Sequence, residues 1–406
     1  MMSSRRHTLS AQSPLKSRLV VCQIALSVVL LVSAALMVRT FVQIQRVDPG
    51  FRSEGMLSFR IALPGQRYRT PETFNEFGRR LQSELTAVAG VRGVGSVSHL
   101  PYDNLPNWGG PYISKPGQDE ATAVFSDHRA VTPGLFETVG ARLVEGRFFT
   151  EDDDTRIAPV AIVDDQLARR AWPGESAIGK RIAADPFSTG HPVFWATVVG
   201  VVHHVRHRSL LEDLTDQVYF AERQIQRNPM AYVVKTGGDA AALASTVRQI
   251  IAKLDPQLPA YDMRPLDEYV AGARAAQRFA TILAAAFAIV ALALAAVGVY
   301  GVIAYATTRR RYEFGVRIAL GARPGQVMAL VIREGAVLAA IGLTLGVAGA
   351  ALAARLLQSQ LFGVTPRDAV SYATAVVAIA LAAMTACWLP ARRISAVTPL
   401  EALRSE

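Results

Sequence analysis

Three short stretches of the 406-residue chain carry residue types that could do chemistry. Gly174 to Lys180 reads GESAIGK, close to the phosphate-cradling pattern Gly-x-x-x-x-Gly-Lys-Ser/Thr. Arg181 stands where that pattern needs a hydroxyl for magnesium, and Ala171-Trp172-Pro173 before it does not read as a buried strand. Nucleotide binding is not expected there. His203, His204 and His207 are metal-ligand types, but Arg206 and Arg208 add like charge and no Cys or carboxylate set stands nearby in sequence. They read as a solvated loop after a strand. Glu151-Asp152-Asp153-Asp154 offers oxygens for calcium, yet lacks the alternating ligands and the glycine of an EF-hand loop, and reads as a solvated acidic turn. No Ser/His/Asp or Cys/His set for nucleophilic catalysis is defensible, so the chain is not expected to be an enzyme, and no catalytic, cofactor or metal residue is assigned.

The elements that hold these stretches divide sharply by composition. The chain is 51% hydrophobic and only 19% charged. Four uncharged apolar runs stand out: 19–38, 279–305, 335–354 and 370–389. A bilayer core takes about 20 helical residues, so each run can span it. The first exceeds the roughly 7–15 residues of a cleavable signal core and reads as an anchor that stays. The second would be about 40 Å long at 1.5 Å per residue, longer than the hydrocarbon layer. The stretch 265–278 before it also reads as helix, so a continuous stalk leaving the membrane is expected.

Charge sets the expected orientation. Residues 43–278 hold 27 basic and 28 acidic side chains, whereas the rest of the chain holds 16 basic and 5 acidic. Nucleic-acid binding would want the basic excess on a folded domain, but here it flanks the spans, as the positive-inside rule describes. Arg5, Arg6, Lys16 and Arg18 precede the first run; Arg309, Arg310, Arg311, Arg317, Arg323 and Arg333 separate the second and third; Arg392, Arg393 and Arg404 follow the fourth. All three segments are cytoplasmic together only if 43–278 lie outside. Both cysteines, Cys22 and Cys387, fall within spans. The expected layout is therefore a cytoplasmic N-terminus 1–18, transmembrane helix 19–42, extracytoplasmic domain 43–278, transmembrane helix 279–306, cytoplasmic coupling helix 307–325, transmembrane helix 326–354, short outer loop 355–369, transmembrane helix 370–389 and cytoplasmic tail 390–406.

The outer region opens as β-α-β. Residues 56–63 read as a strand, Thr70 and Pro71 as an N-cap and first helical position, Phe74, Phe77, Leu81 and Leu85 as one helix face, and 91–98 as a second strand. Residues 101–118, rich in Pro, Gly and Asn, read as a loop. Further strands are expected at 194–202 and 231–235, and a second helix capped by Asp239 with Leu243, Val247, Ile250 or Ile251, and Leu254 on one face. The domain reads as α+β with mixed sheets.

Two stretches in the membrane part carry partner chemistry. Gly342, Gly346 and Ala350 recur every four residues, a row that lets a second helix approach closely. Arg309 to Ala322 reads RRRYEFGVRIALGA, where Glu313 and Arg317 support a helix, Phe314 and Ile318 share a face, and Gly321 ends it. A short amphipathic helix there suits docking a partner, or equally a lipid surface.

At this segment the chain resembles the permease subunits of ATP-binding-cassette systems of the macrolide-export (MacB) and FtsX type, and more narrowly one half of the duplicated permeases of acidobacteria. The resemblance rests on Arg311, Glu313, Gly315, Arg317, Ala319, Leu320, Gly321 and Ala322, and on Pro390, Ala391, Arg392, Arg393, Pro399, Leu400, Ala402, Leu403 and Arg404. Asp48-Pro49-Gly50-Phe51, Thr132-Pro133-Gly134, Gly146-Arg147, Pro173-Gly174, Gly179-Lys180 and 199–202 add to it. It implies an outer domain similar to the two-lobed periplasmic core domain, four spans, and a plasma-membrane protein with both termini inside. It implies a cytoplasmic ATPase partner that binds ATP and Mg, contacted through Arg311, Glu313, Phe314, Gly315, Arg317, Ile318 and Gly321. It also implies a second permease unit and, in export systems, a periplasmic adaptor. Members transmit motion across the membrane instead of passing substrate between their spans. The chain departs from the macrolide exporter in lacking a fused ATPase, and from the duplicated form in having one unit, so a fragment, a split gene and a stand-alone half-unit stay open. Three functions remain: an export permease, an FtsX-like transducer acting on a cell-wall hydrolase or sensor, and a membrane scaffold.

Overall fold

The computed structural model describes residues 12–103, 105–106, 108–115, 117–184, 193–210, 215–309 and 324–394. The chain forms two units, residues 47–275 and residues 1–46 with 276–406.

The outer unit starts with β1 (Met56–Ile61), α2 (Pro71–Thr86) and β2 (Val91–Val97), numbering as α1 the helix Gln12–Gln45 before it. Thr70 and Thr73 cap α2 reciprocally, each side-chain oxygen accepting the other's backbone N–H, and Pro71 presets the first turn. Phe74, Phe77, Leu81 and Leu85 then fall on one buried face. The same unit ends with β10 (Met230–Thr236), α5 (Leu243–Leu254) and β11 (Tyr261–Pro265). These four strands lie in the order β11-β1-β10-β2, every neighbour antiparallel. That is a split β-α-β lobe, with α2 and α5 sharing one core with Leu57, Phe59, Ile61, Tyr232 and Val234. Asp239 accepts from Ala241 in the turn ahead of α5, while Ala242 holds the cap position without a side-chain bond, so Asp239 is not the helix cap.

A second lobe is inserted between β2 and β10. It comprises β3 (Gly109–Ile113), β4 (Val124–Val131), α3 (Leu135–Val139), β5 (Leu143–Gly146), β6 (Val160–Asp164), α4 (Asp165–Ala171), β7 (Arg181–Ala184), β8 (Trp195–Val202) and β9 (Asp216–Ala221). The order β4-β3-β7-β8-β6-β9 closes on itself because β9 also pairs with β4, in parallel. The ring encloses its own apolar core around Ala161, Val163, Leu167, Ile182, Val198 and Phe220. Residues 101–118 are thus not all loop: Gly109–Ile113 is a strand, held by β4 on one side and β7 on the other. The lobes share one continuous mixed sheet through Val97 and Val131.

The other unit holds α1, the 43-residue α6 (Asp267–Arg309) from Ala276 onward, α7 (Pro324–Leu356) and α8 (Ala369–Ile394). Among the described residues four stretches are long and apolar enough to cross a membrane: Ser17–Gln45, Asp267–Thr308, Ile332–Leu356 and Ala369–Leu389. Their shared core runs from Val20, Ile24, Val28 and Val32 on α1 to Val299 and Ile303 on α6, Ala350 on α7 and Ile379 on α8.

Candidate functional site

The small-residue row of α7 is in contact with α1. A Cβ added at Gly342 would meet Ile24 Cβ at 2.7 Å and Val21 O at 3.2 Å; one at Gly346 would meet Val28 Cβ at 2.6 Å and Ala25 O at 2.9 Å. Ala350, one turn on, is buried. The missing side chains are what allow the two backbones to approach. Ser27 on α1 donates to its own Gln23 carbonyl and to Ala291 on α6, both at 2.8 Å. On the same unit, Asp368 caps α8 by accepting from Ser371 and forms an ion pair with Arg39 of α1. The proposed partner-contact residues Arg311, Glu313, Phe314, Gly315, Arg317, Ile318 and Gly321 lie outside the described residues.

In the outer unit the side chains of the chemistry-bearing stretches pair with other residues of the same unit. Gly174 and Gly179 adopt positive φ, Lys180 pairs with Glu175 at 2.5 Å, and the strand β7 follows where a phosphate loop needs a helix. The histidines are not a solvated loop. His204 and His207 are buried, His204 Nδ1 lies 2.5 Å from Asp164 Oδ2, and His203 Nδ1 lies 3.1 Å from Asp165 Oδ2. Burial holds the His207 imidazole well below its usual range. Among the described residues no group of three or more His, Cys, Asp or Glu could hold a metal ion. The acidic turn is not wholly solvated either. Asp153 is 1% exposed, and although burial pushes its carboxyl up, the Arg147 guanidinium at 2.7 and 2.8 Å and the Thr150 amide hold it below the usual range.

The structure also brings together charged side chains that no sequence pattern announced. Arg60 and Arg129 are 1% and 2% exposed. Arg60 donates to Asp103 at 2.6 Å and Arg129 donates to the His128 carbonyl at 2.7 Å. Asp127, fully buried, accepts from Arg208. Asp216 accepts from Tyr112 and Arg170, while burial and the nearby Asp164 raise its carboxyl. Burial pushes Glu222, between β9 and β10, up to about 7 against the pull of Arg223. It drives His128 down to about 3, and the Arg129 charge acts in the same direction. The signal that could have found Arg60, His128 and Arg129 is an ionisable residue inside a strand segment: Arg60 in MLSFRI and His128-Arg129 in VFSDHRAV.

Comparison with known proteins adds two regions. Residues 19–250 match the profile of the MacB-like periplasmic core domain, and residues 285–399 match that of the FtsX-like permease C-terminal region. The chain is similar to a macrolide export ATP-binding/permease protein MacB of Shewanella, 25% identical over 81% of this chain and 51% of the relative. It is similar to the pyoverdine export ATP-binding/permease protein PvdT of Pseudomonas aeruginosa, 24% identical over 77% of this chain and 47% of the relative. The chain thus spans about half the length of the curated relatives it matches. Among solved structures, the periplasmic region of MacB from Actinobacillus actinomycetemcomitans aligns at 12% identity with a TM-score of 0.37, covering 56% of this chain and 95% of that one.

Proposed function

Since the chain belongs to the family of the MacB-like periplasmic core domain, we propose that it is the permease subunit of an ATP-binding-cassette export system. The observation that carries this reading is the presence, in one chain, of that core domain and of an FtsX-like permease region. The outer domain lies in the periplasm, the four spans lie in the inner membrane, and both termini are cytoplasmic, which places every basic flanking segment on one side. ATP and Mg are bound by a separate cytoplasmic ATPase, a second permease unit completes the membrane part, and a periplasmic adaptor receives the outer domain.

The work of the chain is to pass motion. All the polar side chains buried among the described membrane segments are uncharged, which suits helices that move as bodies better than a polar path between them. The ATPase docks on Arg311, Glu313, Gly315, Arg317 and Gly321 with Phe314 and Ile318 as apolar anchors, since a buried apolar anchor can dominate binding.

The test is co-purification with the cognate ATPase and ATP-dependent protection of cells from substrate. Phe314→Ala is expected to weaken association and uncouple export with membrane insertion unchanged. Gly315→Pro is expected to do the same, because an interior proline costs a helix about 3 kcal/mol. Full association and full protection in both variants would overturn the docking assignment; failure of the wild-type chain to support ATP-dependent export with any partner ATPase would overturn the transport reading.

A further inference from the structure

Between the outer sheet and α6 lies a small polar joint. β11 pairs with β1 through Leu57–Pro265, Ser58–Arg264 and Arg60–Tyr261, with a register shift between Ser58 and Arg60. The extra residue is a β-bulge, and Asp262 within it adopts φ 49°, a left-handed backbone that few non-glycine residues take. The bulge re-aims the Asp262 side chain. Its Oδ2 accepts the Tyr269 hydroxyl at 2.6 Å and lies 3.5 Å from Nε of the buried Arg60. Its Oδ1 lies 3.1 Å from Arg264 Nε, and the Arg264 guanidinium sits 3.9 Å from the Tyr269 ring centre.

Tyr269 belongs to the first turn of α6, a helix that runs without interruption to Arg309. That turn is also fixed by apolar and backbone contacts: Leu266, Tyr269 and Val270 are buried, and Leu266 donates to Met56 O at 2.9 Å. One carboxylate therefore gathers an arginine from β1, an arginine from β11 and the tyrosine of α6.

We propose that the Asp262 bulge is the joint that fixes the first turn of α6 to the sheet of the first lobe, so that lobe and turn form one lever arm, with Asp262 and Tyr269 as its positioning residues. The inference rests on the export reading above for what the lever drives, but not for its rigidity. A helix end held only by apolar contacts can rock about its contact point. The Tyr269–Asp262 hydrogen bond removes that freedom, because rocking would break a short, directional bond, while the Arg60 and Arg264 charges hold the carboxylate in place as ion pairs.

The experiment uses the full chain in lipid nanodiscs with Cys22→Ser and Cys387→Ser, and spin labels at Arg80→Cys on α2 and Ala275→Cys on α6, both exposed. The unaltered joint is expected to give one narrow distance distribution. Asp262→Gly, which permits the left-handed backbone but removes the carboxylate, is expected to broaden it at least twofold and to cut ATP-dependent export at least tenfold, with the melting temperature held within about 3 °C. Asp262→Asn keeps an acceptor for Tyr269 and is expected to restore most of both. Tyr269→Phe, which keeps the packed ring, should broaden the distribution to an intermediate degree. The proposal is overturned if Asp262→Gly leaves the distribution narrow, or if it broadens the distribution and export is unchanged. The width needs no ATPase, so it still decides the joint's rigidity should the wild-type chain fail to export at all, an outcome that would sink the export reading.

Discussion

In the outer unit Arg60, Arg129, Asp127, Asp153, Asp164 and Asp216 are each 2% exposed or less, while the polar side chains buried in the described membrane helices are Ser27, Thr40, Gln277, Thr281, Thr307 and Ser371, none of them charged. The difference follows from the solvent each part was built against. A water-facing domain has the hydrophobic effect to drive collapse and can offset the desolvation of a few charges, provided each finds a partner. Helices in lipid gain nothing from hiding apolar surface against one another, so they associate through close backbone approach and a few hydrogen bonds. Gly342 and Gly346 against Ile24 and Val28 are the membrane counterpart of Asp164 against His204. One unit is specified by bonds between polar groups, the other by the shape left when side chains are absent.

The largest effect that could break this contrast is at Asp164. Its carboxylate accepts from Leu167 and Gln217 backbone N–H groups and faces His204 Nδ1. Asp164→Ala leaves all of them buried without that acceptor, and is expected to cost about 3–5 kcal/mol, the range for stripping one partner from a buried charged pair. Calorimetry should show the outer transition falling by about 6–20 °C while the membrane helices stay inserted. A loss below about 1 kcal/mol would mean that the polar core does not specify this unit.

Next comes pH. A Glu222 carboxyl raised from 4.5 to about 7 favours the folded state most below 4.5, and that contribution is lost as pH rises through about 7. His99, His128 and His207 are held below 6.5 by burial, so they act in the opposite sense, and the stability present above 6.5 is lost as pH falls. The outer unit is therefore expected to melt highest near about pH 6–7. Glu222→Gln should remove the loss due to Glu222, which amounts to up to about 3 kcal/mol between about pH 4.5 and 7, since each tenfold change in proton affinity is worth about 1.36 kcal/mol. Melting curves of the two proteins that stay parallel from pH 5 to 8 would refute this.

In the membrane unit Gly346→Leu should force α1 and α7 apart, at about 1–3 kcal/mol for overpacking. A Cβ at Gly301 meets nothing within 4 Å, so Gly301→Ala is the control and should be neutral or slightly stabilising. Thermal aggregation in detergent separates the two, and equal behaviour would show that the α7 row is not a packing face. The smallest effect is expected from Ser27→Ala, about 0.6 kcal/mol for one interhelical hydrogen bond in a membrane. A loss several times larger would mean that polar bonds, and not close approach, hold the α1–α6 pair.

The sequence by itself determined whatever depends on neighbours within a turn or two. The spans are uninterrupted apolar runs, and α2 is set by Thr70, Pro71 and a 3.6-residue repeat of Phe74, Phe77, Leu81 and Leu85. The family, too, was legible in short motifs distributed along the chain. Only the tertiary structure decided what each polar group does. Gly109-Gly110-Pro111 has almost no strand preference, yet it is a strand because β4 presents a hydrogen-bonding edge to it, and β7 holds the Tyr112–Ile113 end from the other side. His204 and Asp164 are forty residues apart, and His203 and Asp165 nearly as far, so no local spacing could show that the histidines are paired and buried. Arg60 lies within β1, and the Asp103 carboxylate it donates to comes from beyond β2, forty-three residues on. Local periodicity sets which elements form; a buried charge is stable only where a distant segment supplies its partner, and that pairing exists only once the sheet has closed.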